Sequence, residues 1–357
     1  MKAKKLIALA LALVMVFALA ACGGSGTTSN TGGGGADSAG SSGSGSGQAA
    51  SANAIVLTYA EVNPIDGTDG DWAKYFKEQV ETLTNGSVVI DIQASGVLGA
   101  ESDVLDGMIS GGGTVDLARV SCYALSTYKC DKSALLGLPF IFESRDHFWN
   151  FVNSDLGNEL KSEPTEKGLG VTALYYLEDG FRSFFFKNEV SDINDLSGKK
   201  IRVSTDQIMT GLVNGLGASP TVVSFNELYT SLQSGVVDGA EQPLAPYESN
   251  AFNEVAPYVI LDEHTLATSY IVISDDSIAK LSDEQYAAIQ EAGKATEKYC
   301  QQQSTAYDAE VIASLNGKGV TLVEVPDKTP WRDACSDVIS QFTSGLEDVY
   351  QGILNCA

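Results

Sequence analysis

The sequence predicts an α/β fold. Short β-rich runs alternate with helix-length segments whose apolar residues recur every three or four positions. About 300 residues follow an N-terminal leader and tether, enough for one large α/β domain or two lobes. No internal repeat is visible, and no apolar run after the leader is long enough to cross a bilayer.

Taken from the N-terminus, Lys2, Lys4 and Lys5 precede an apolar run from Leu6 to Ala21, which is too short for a stable membrane span. Residues 1–21 therefore read as a signal peptide. The end of this leader, Leu19-Ala20-Ala21-Cys22, resembles the lipobox of bacterial lipoproteins, which makes Cys22 the expected lipidation site. Cleavage at an A-x-A-like site without lipid is the alternative, and the cysteine directly after the small residues favours lipidation. Residues 22–53 hold this cysteine and then a Gly/Ser-rich tether with Asp37 as its only charge and no large apolar side chain to bury.

The folded part begins near Ala54. "AIVLTYA" is a strand, and Trp72, Tyr75, Phe76, Val80 and Leu83 mark a helix that Asn85-Gly86 ends. "SVVIDI" is a strand, "AESDVLDGMIS" a helix with Val104, Leu105, Met108 and Ile109 inward, and "TVDLARV" another strand. After Gly168 come three separate β-rich runs, "LGVTALYY", "FRSFFFK" and "KKIRVS". A helix over "QIMTGLVNGLG" follows, with Gly217 as its stop. Ser224 and Glu227 match a capping box that opens a helix carrying Leu228 and Leu232. Residues 277–316 read as helical from a Ser277 cap, and a last helix occupies 330–352.

The chain carries 22 Lys plus Arg against 46 Asp plus Glu, a formal charge of −24, which excludes nucleic acid as a partner. Cys122, Cys130, Cys300, Cys335 and Cys356 form no CxxC pair, and only His147 and His264 accompany them, so no zinc site and no cofactor are expected. Five thiols cannot all pair within the chain. Neither histidine lies in a nucleophile context, and His147 in "SRDHFWNF" reads as part of a surface helix. Ser277 and Lys280 match S-x-x-K but lack its companion motifs. "DGTDGD" (66–71) lacks the EF-hand spacing, and "GGG" (111–113) follows a helix instead of opening one. No catalytic residue emerges, and the chain is expected not to be an enzyme.

The arginines are more informative. Arg182 in "GFRSFFF" and Arg202 in "KKIRVS" each sit inside an apolar run. Local rules favour a solvent-facing side chain in such a place. Two arginines on neighbouring strands would instead make a fork of donors matched to a planar carboxylate.

The run Leu196–Pro243, "LSGKKIRVSTDQIMTGLVNGLGASPTVVSFNELYTSLQSGVVDGAEQP", resembles the solute-binding proteins of tripartite ATP-independent periplasmic (TRAP) transporters, the DctP family. "FKEQVETLTNGSVVIDIQASGVLGAESDVLDGMISGGGTVDLA" and "LPFIF" extend the similarity over most of residues 54–275. The resemblance implies a two-lobed periplasmic-binding-protein-like fold, with a hinge and a ligand cleft between the lobes. Residues 54–179 plus about 268–310 would form lobe I, and 180–267 plus about 311–357 lobe II. It implies an extracytoplasmic receptor, lipid-anchored through Cys22 to the outer face of the cytoplasmic membrane. Such a receptor delivers a small organic acid to small and large TRAP membrane subunits driven by an ion gradient. The family's carboxylate-binding arginine falls on Arg202, its supporting arginine on Arg182, its E-N-P asparagine on Gln242 and its aromatic wall on Phe225. Ser121 and Asn63 lie near first-lobe polar contacts. Dicarboxylates, sugar acids and 2-oxo acids all remain open as ligands. The alternatives are a receptor for an ATP-driven importer and a secreted carboxylate-dependent hydrolase or lyase.

Overall fold

The computed structural model describes residues 53–357; the signal-peptide reading, Cys22 and nearly all of the tether lie outside them. Strands and helices alternate from the start: β1 (Ile55–Ala60), α1 (Thr68–Leu83), β2 (Val88–Gln93), α2 (Glu101–Ser110) and β3 (Leu117–Ser121). Helices α3 (Asp131–Ala134), α4 (Arg145–Val152) and α5 (Asp155–Glu166) lead to a 16-residue strand, β4 (Val171–Phe186). Next come β5 (Lys200–Val203), α6 (Gln207–Gly215), β6 (Ser219–Val222), α7 (Leu228–Ser234), β7 (Gly239–Pro243) and α8 (Leu244–Ser249). The 17-residue β8 (Tyr258–Ser274) returns antiparallel to β4. Helices α9 (Asp275–Ile278) and α10 (Asp283–Gly317), strand β9 (Thr321–Glu324) and helices α11 (Thr329–Ala334), α12 (Ser336–Thr343) and α13 (Glu347–Leu354) close the chain.

All nine strands of the described residues join one mixed sheet, ordered β2-β1-β3-β8-β4-β7-β5-β6, with β9 beside β8. Parallel strands flank a central antiparallel pair: β2, β1 and β3 lie on one side and β7, β5 and β6 on the other. The pair β4 and β8 is long enough to belong to both sides. Its ladder slips between Glu178 and Phe181, which leaves Asp179 and Gly180 at the join. Such a slip bends a strand and re-aims its side chains.

Helix α10 braces the two halves from outside. Ser282 and Gln285 close its capping box, and 35 residues at 1.5 Å each give a rod of about 52 Å. Its buried positions Ile289, Gly293, Thr296, Cys300 and Ser304 recur at three- and four-residue spacing and are mostly small. They allow close approach to β4, where a Cβ on Gly293 would meet the Tyr175 ring at 2.6 Å. On the other side Trp72 packs edge-on against Tyr299 and Tyr307, tying α1 to the same helix.

Several expectations need correction. The runs "LGVTALYY" and "FRSFFFK" are one strand, because the ladder continues past the slip. Ser277 does not cap the long helix: it is buried in α9 beside Ser274 and Asp116, and Ser282 is the cap. Ser224 makes no cap hydrogen bond, since a 3-10 turn over Phe225–Glu227 precedes α7. The single last helix is three, α11 to α13. His147 is not on a surface: it is 2% exposed, its Nδ1 accepts from the Glu143 N–H, and its Nε2 donates to the Ile353 carbonyl at 2.8 Å. The five cysteines of the described residues are free thiols.

At the join, Gly180 takes φ +93°, and a Cβ there would stand 3.1 Å from Arg145 Nη2 and 3.2 Å from Asp308 Oδ1. Arg145 bridges Glu178 of β4 and Asp308 of α10 at 2.8 and 2.7 Å, and needs that space. Gly180→Ala is therefore expected to lower the unfolding free energy by about 1–2 kcal/mol or more, read from urea titrations at neutral pH.

Candidate functional site

A cleft of about 500 Å³ opens along the join, within the usual range for small-molecule sites. Asn63, Ser121, Arg182, Arg202, Phe225 and Gln242 all lie on its wall. The sequence-predicted residues, spread over 180 positions, thus come together at one place.

Arg202 is buried, at 4% exposure, against the expectation from local rules. Strand β5 lies between β6 and β7, so its side chains project from an interior position. The guanidinium is held from two sides: Nε donates to the Val223 carbonyl at 2.8 Å, and the group lies over the Phe225 ring at 5.8 Å. No carboxylate of the described residues lies in ion-pair range, and its two Nη nitrogens find no acceptor there. Burial pulls its pKa below the usual guanidinium value. A cation in this state is costly until an anion joins it.

Arg182 is different. It is not on a strand next to that of Arg202, because β7 runs between β4 and β5, and β7 carries Glu241. The Glu241 carboxylate takes both Nε and Nη2 of Arg182, the latter at 2.9 Å. Arg182 thus lines the cleft with two of its three nitrogens already on an internal acid, whereas Arg202 keeps both Nη nitrogens free of any partner among the described residues. On its far side Glu241 approaches His264 Nε2 at 3.5 Å, and His264 Nδ1 bonds Asp262 at 2.7 Å. Burial disfavours the imidazolium, yet Asp262 and Glu241 together raise His264 to about 9. Burial likewise disfavours the Glu241 anion, but Arg182 and His264 hold it down at about 2. Arg182, Glu241, His264 and Asp262 form an internally neutral row of alternating charge.

The opposite wall contains a third arginine that sequence reading passed over. Arg119 of β3 gives Nε and Nη2 to Glu61 at 2.8 and 3.0 Å and Nη1 to Asp179 at 2.9 Å. Asp69 Oδ1 stands 3.6 Å from Nε. The available signal was that "DLARV" repeats the pattern of "KKIRV", a lone arginine in a β-rich run. Glu61 and Asp69 gave no local signal, and neither the E-N-P motif around Glu241 nor the lone His264 pointed to an ion pair.

The remaining predicted residues differ in how free they are. Ser121 is engaged by Glu101 through both its N–H (2.7 Å) and its hydroxyl (3.2 Å). The Asn63 Oδ1 accepts from Asn250 at 3.0 Å, a hydrogen bond between the two sides of the cleft. Gln242, at 7% exposure, makes no side-chain hydrogen bond to the described residues. It lines the same cleft as Arg202.

Comparison with known proteins gives a consistent result. Residues 59–345 match the model of the DctP family, the bacterial extracellular solute-binding proteins of family 7. A solute-binding protein of Roseobacter denitrificans is 33% identical over 264 residues, covering 74% of this chain and 79% of that one. Among solved structures, a TRAP periplasmic solute-binding protein of Roseobacter denitrificans with bound L-galactonate is 29% identical. It superposes with a TM-score of 0.79 over 85% of this chain and 99% of its own. Another from Xanthobacter autotrophicus, with bound β-D-galacturonate, is 26% identical at a TM-score of 0.79, covering 84% and 99%.

The two cleft arginines should separate in unfolding experiments. Arg182→Ala strands the buried Glu241 carboxylate and is expected to cost about 3–5 kcal/mol, whereas Arg202→Ala breaks no internal ion pair and should cost within about 1 kcal/mol. The His264 cation contributes stability that is complete below its ordinary value of 6.5 and is lost as pH rises through about 9. Melting temperatures should therefore fall over that interval in the wild type and stay flatter in His264→Gln.

Proposed function

The chain belongs to the DctP family of bacterial extracellular solute-binding proteins, and from that premise we propose that its cleft binds a sugar acid with one carboxylate. The carrying observation is that Arg202 is buried without a carboxylate partner among the described residues. The solute supplies that partner through charge-assisted, bidentate hydrogen bonds to the Nη nitrogens. Phe225 lies against the guanidinium, and Gln242 offers a donor and an acceptor within the same cleft.

Charge arithmetic favours one carboxylate over two. Of the three arginines on the wall, Arg119 and Arg182 already face internal acids, which leaves Arg202 as the one without an ion pair among the described residues; Asp206 lines the same side and acts on it only from beyond ion-pair range. The first-half wall is acidic beyond that, with Glu101, Asp103 and Asp106 facing the cleft. A second carboxylate would meet like charge there, whereas hydroxyl groups would find acceptors. Galactonate and galacturonate, the ligands of the two structural relatives, have this one-carboxylate, many-hydroxyl form.

In this reading the protein is a receptor and not an enzyme. Lobe I is 54–179 plus about 268–310, and lobe II is 180–267 plus about 311–357. The slip at Asp179–Gly180 supports a hinge there, although α13 reaches back to α4 through His147. The solute closes the lobes by binding the closed state more tightly, and no covalent step is needed. The chain delivers its solute to TRAP membrane subunits while held by lipid on Cys22; a diacylglyceryl group supplies the two chains that stable anchoring takes.

A thermal-shift panel tests the reading. D-galacturonate and L-galactonate at 100 times their Kd should add about 2.7 kcal/mol of stability and be recovered unchanged, while succinate should add far less. Arg202→Ala should bind at least about 100-fold more weakly and remain folded. Succinate binding as tightly as the sugar acids, or turnover of a sugar acid, would contradict it.

A further inference from the structure

We propose that Asp69 and Asp179 share one buried proton, and that this proton sets the charge of the first-half wall of the cleft. The cluster around Arg119 has three carboxylates for one cation. Arg119 spends its donors on both oxygens of Glu61 and on Asp179 Oδ2. Asp69 Oδ1 and Asp179 Oδ1 are both sealed from solvent with no hydrogen-bond partner. Both carboxylates lie against the one Arg119 guanidinium, Asp69 Oδ1 at 3.6 Å from Nε and Asp179 Oδ2 at 2.9 Å from Nη1, which makes them neighbours.

Two adjacent ionised carboxylates with orphan oxygens are unfavourable twice over, through repulsion and through lost solvation. A proton on one of them turns an acceptor into a donor, and the O–H of Asp69 then satisfies Asp179. No other cation of the described residues lies in ion-pair range of either aspartate. The groups facing the pair from neighbouring elements add no positive charge: Tyr59 of β1, Glu61 after it, Cys122 after β3, Glu178 of β4 and Cys300 of α10. Asp69 lies in the first turn of α1, whose N-terminus favours an anion. Burial, and then Asp179, outweigh that and Arg119, and push its carboxyl well up.

The link to binding runs through position. Arg119 and Asp179 line the cleft, and Asp69 acts behind them. With the proton in place the cluster carries one net negative charge; without it, two. This step rests on the reading that the solute is an anion. Loss of the proton then weakens solute binding and turns Asp179 from its position beside Gly180. Asp69 is thus a positioning residue.

Infrared spectroscopy of the ligand-free full chain at neutral pH decides the proton itself. A carbonyl stretch of a protonated carboxyl, shifted in deuterium oxide, should be present in the wild type and absent from both Asp69→Asn and Asp179→Asn. Calorimetry with D-galacturonate reads the link. Asp69→Ala should bind about tenfold or more weakly, while Asp69→Asn, which keeps an N–H donor, should recover to within about threefold of wild type. The alkaline fall in affinity should be shallower in Asp69→Asn than in the wild type, a difference that removes the contribution of His264. Absence of the band, its persistence in both variants, or equal loss in Asp69→Asn and Asp69→Ala would overturn the proposal. A wild type that shows the band and binds no sugar acid would overturn the functional reading and leave the shared proton standing.

Discussion

A guanidinium buried without an anion is the constraint on which the cleft depends. The other cations of this part of the molecule each have an internal answer: Arg182 has Glu241, His264 has Asp262, and Arg119 has Glu61 and Asp179. Arg202 has a carbonyl and an aromatic face, which orient it without neutralising it. Orientation without neutralisation is what a receptor for an anion requires, since a preformed internal partner would have to be displaced.

The neutralised arginines still matter to the free one. Arg182, Glu241 and His264 fix β4, β7 and β8 to each other beneath the cleft floor, so the wall that carries Gln242 is set by an ionic row as well as by ladder hydrogen bonds. The row is buried, and a buried charge pair is a weak source of net stability. Its contribution here is geometric: removing any member leaves the others uncompensated, which makes misplacement of the wall expensive. The long pair β4 and β8 then carries that geometry across the join, where Gly180 supplies the backbone freedom and Arg145 ties the strand to α10.

The sequence made the first half of the fold legible because its elements have clean periods. In α1 the apolar positions fall on one face, and β1, β2 and β3 are short apolar runs with clear ends. Strand β8 was not legible, although it is central. Asp262, His264, Thr265, Thr268 and Ser269 interrupt its apolar pattern, yet all are buried; Asp262 accepts from the Phe184 N–H of β4 and His264 faces Glu241 of β7. The slip at Asp179–Gly180 made one strand look like two for a similar reason. In the site, Arg182, Arg202, Phe225 and Gln242 were legible by resemblance. The pairing of the charges was not: Glu241 lies 59 residues from Arg182, and Glu61 and Asp179 lie 58 and 60 residues from Arg119. Pairing over such distances is set by topology, which local pattern does not encode.

Whether Arg202 receives the solute's carboxylate is decided by a crystal structure of the protein with bound D-galacturonate. Both carboxylate oxygens should lie within hydrogen-bond distance of the Arg202 Nη nitrogens, with Arg182 still on Glu241 and sugar hydroxyls toward the acidic wall. A carboxylate seated on Arg119 or Arg182, with Arg202 facing a hydroxyl or solvent, would contradict it.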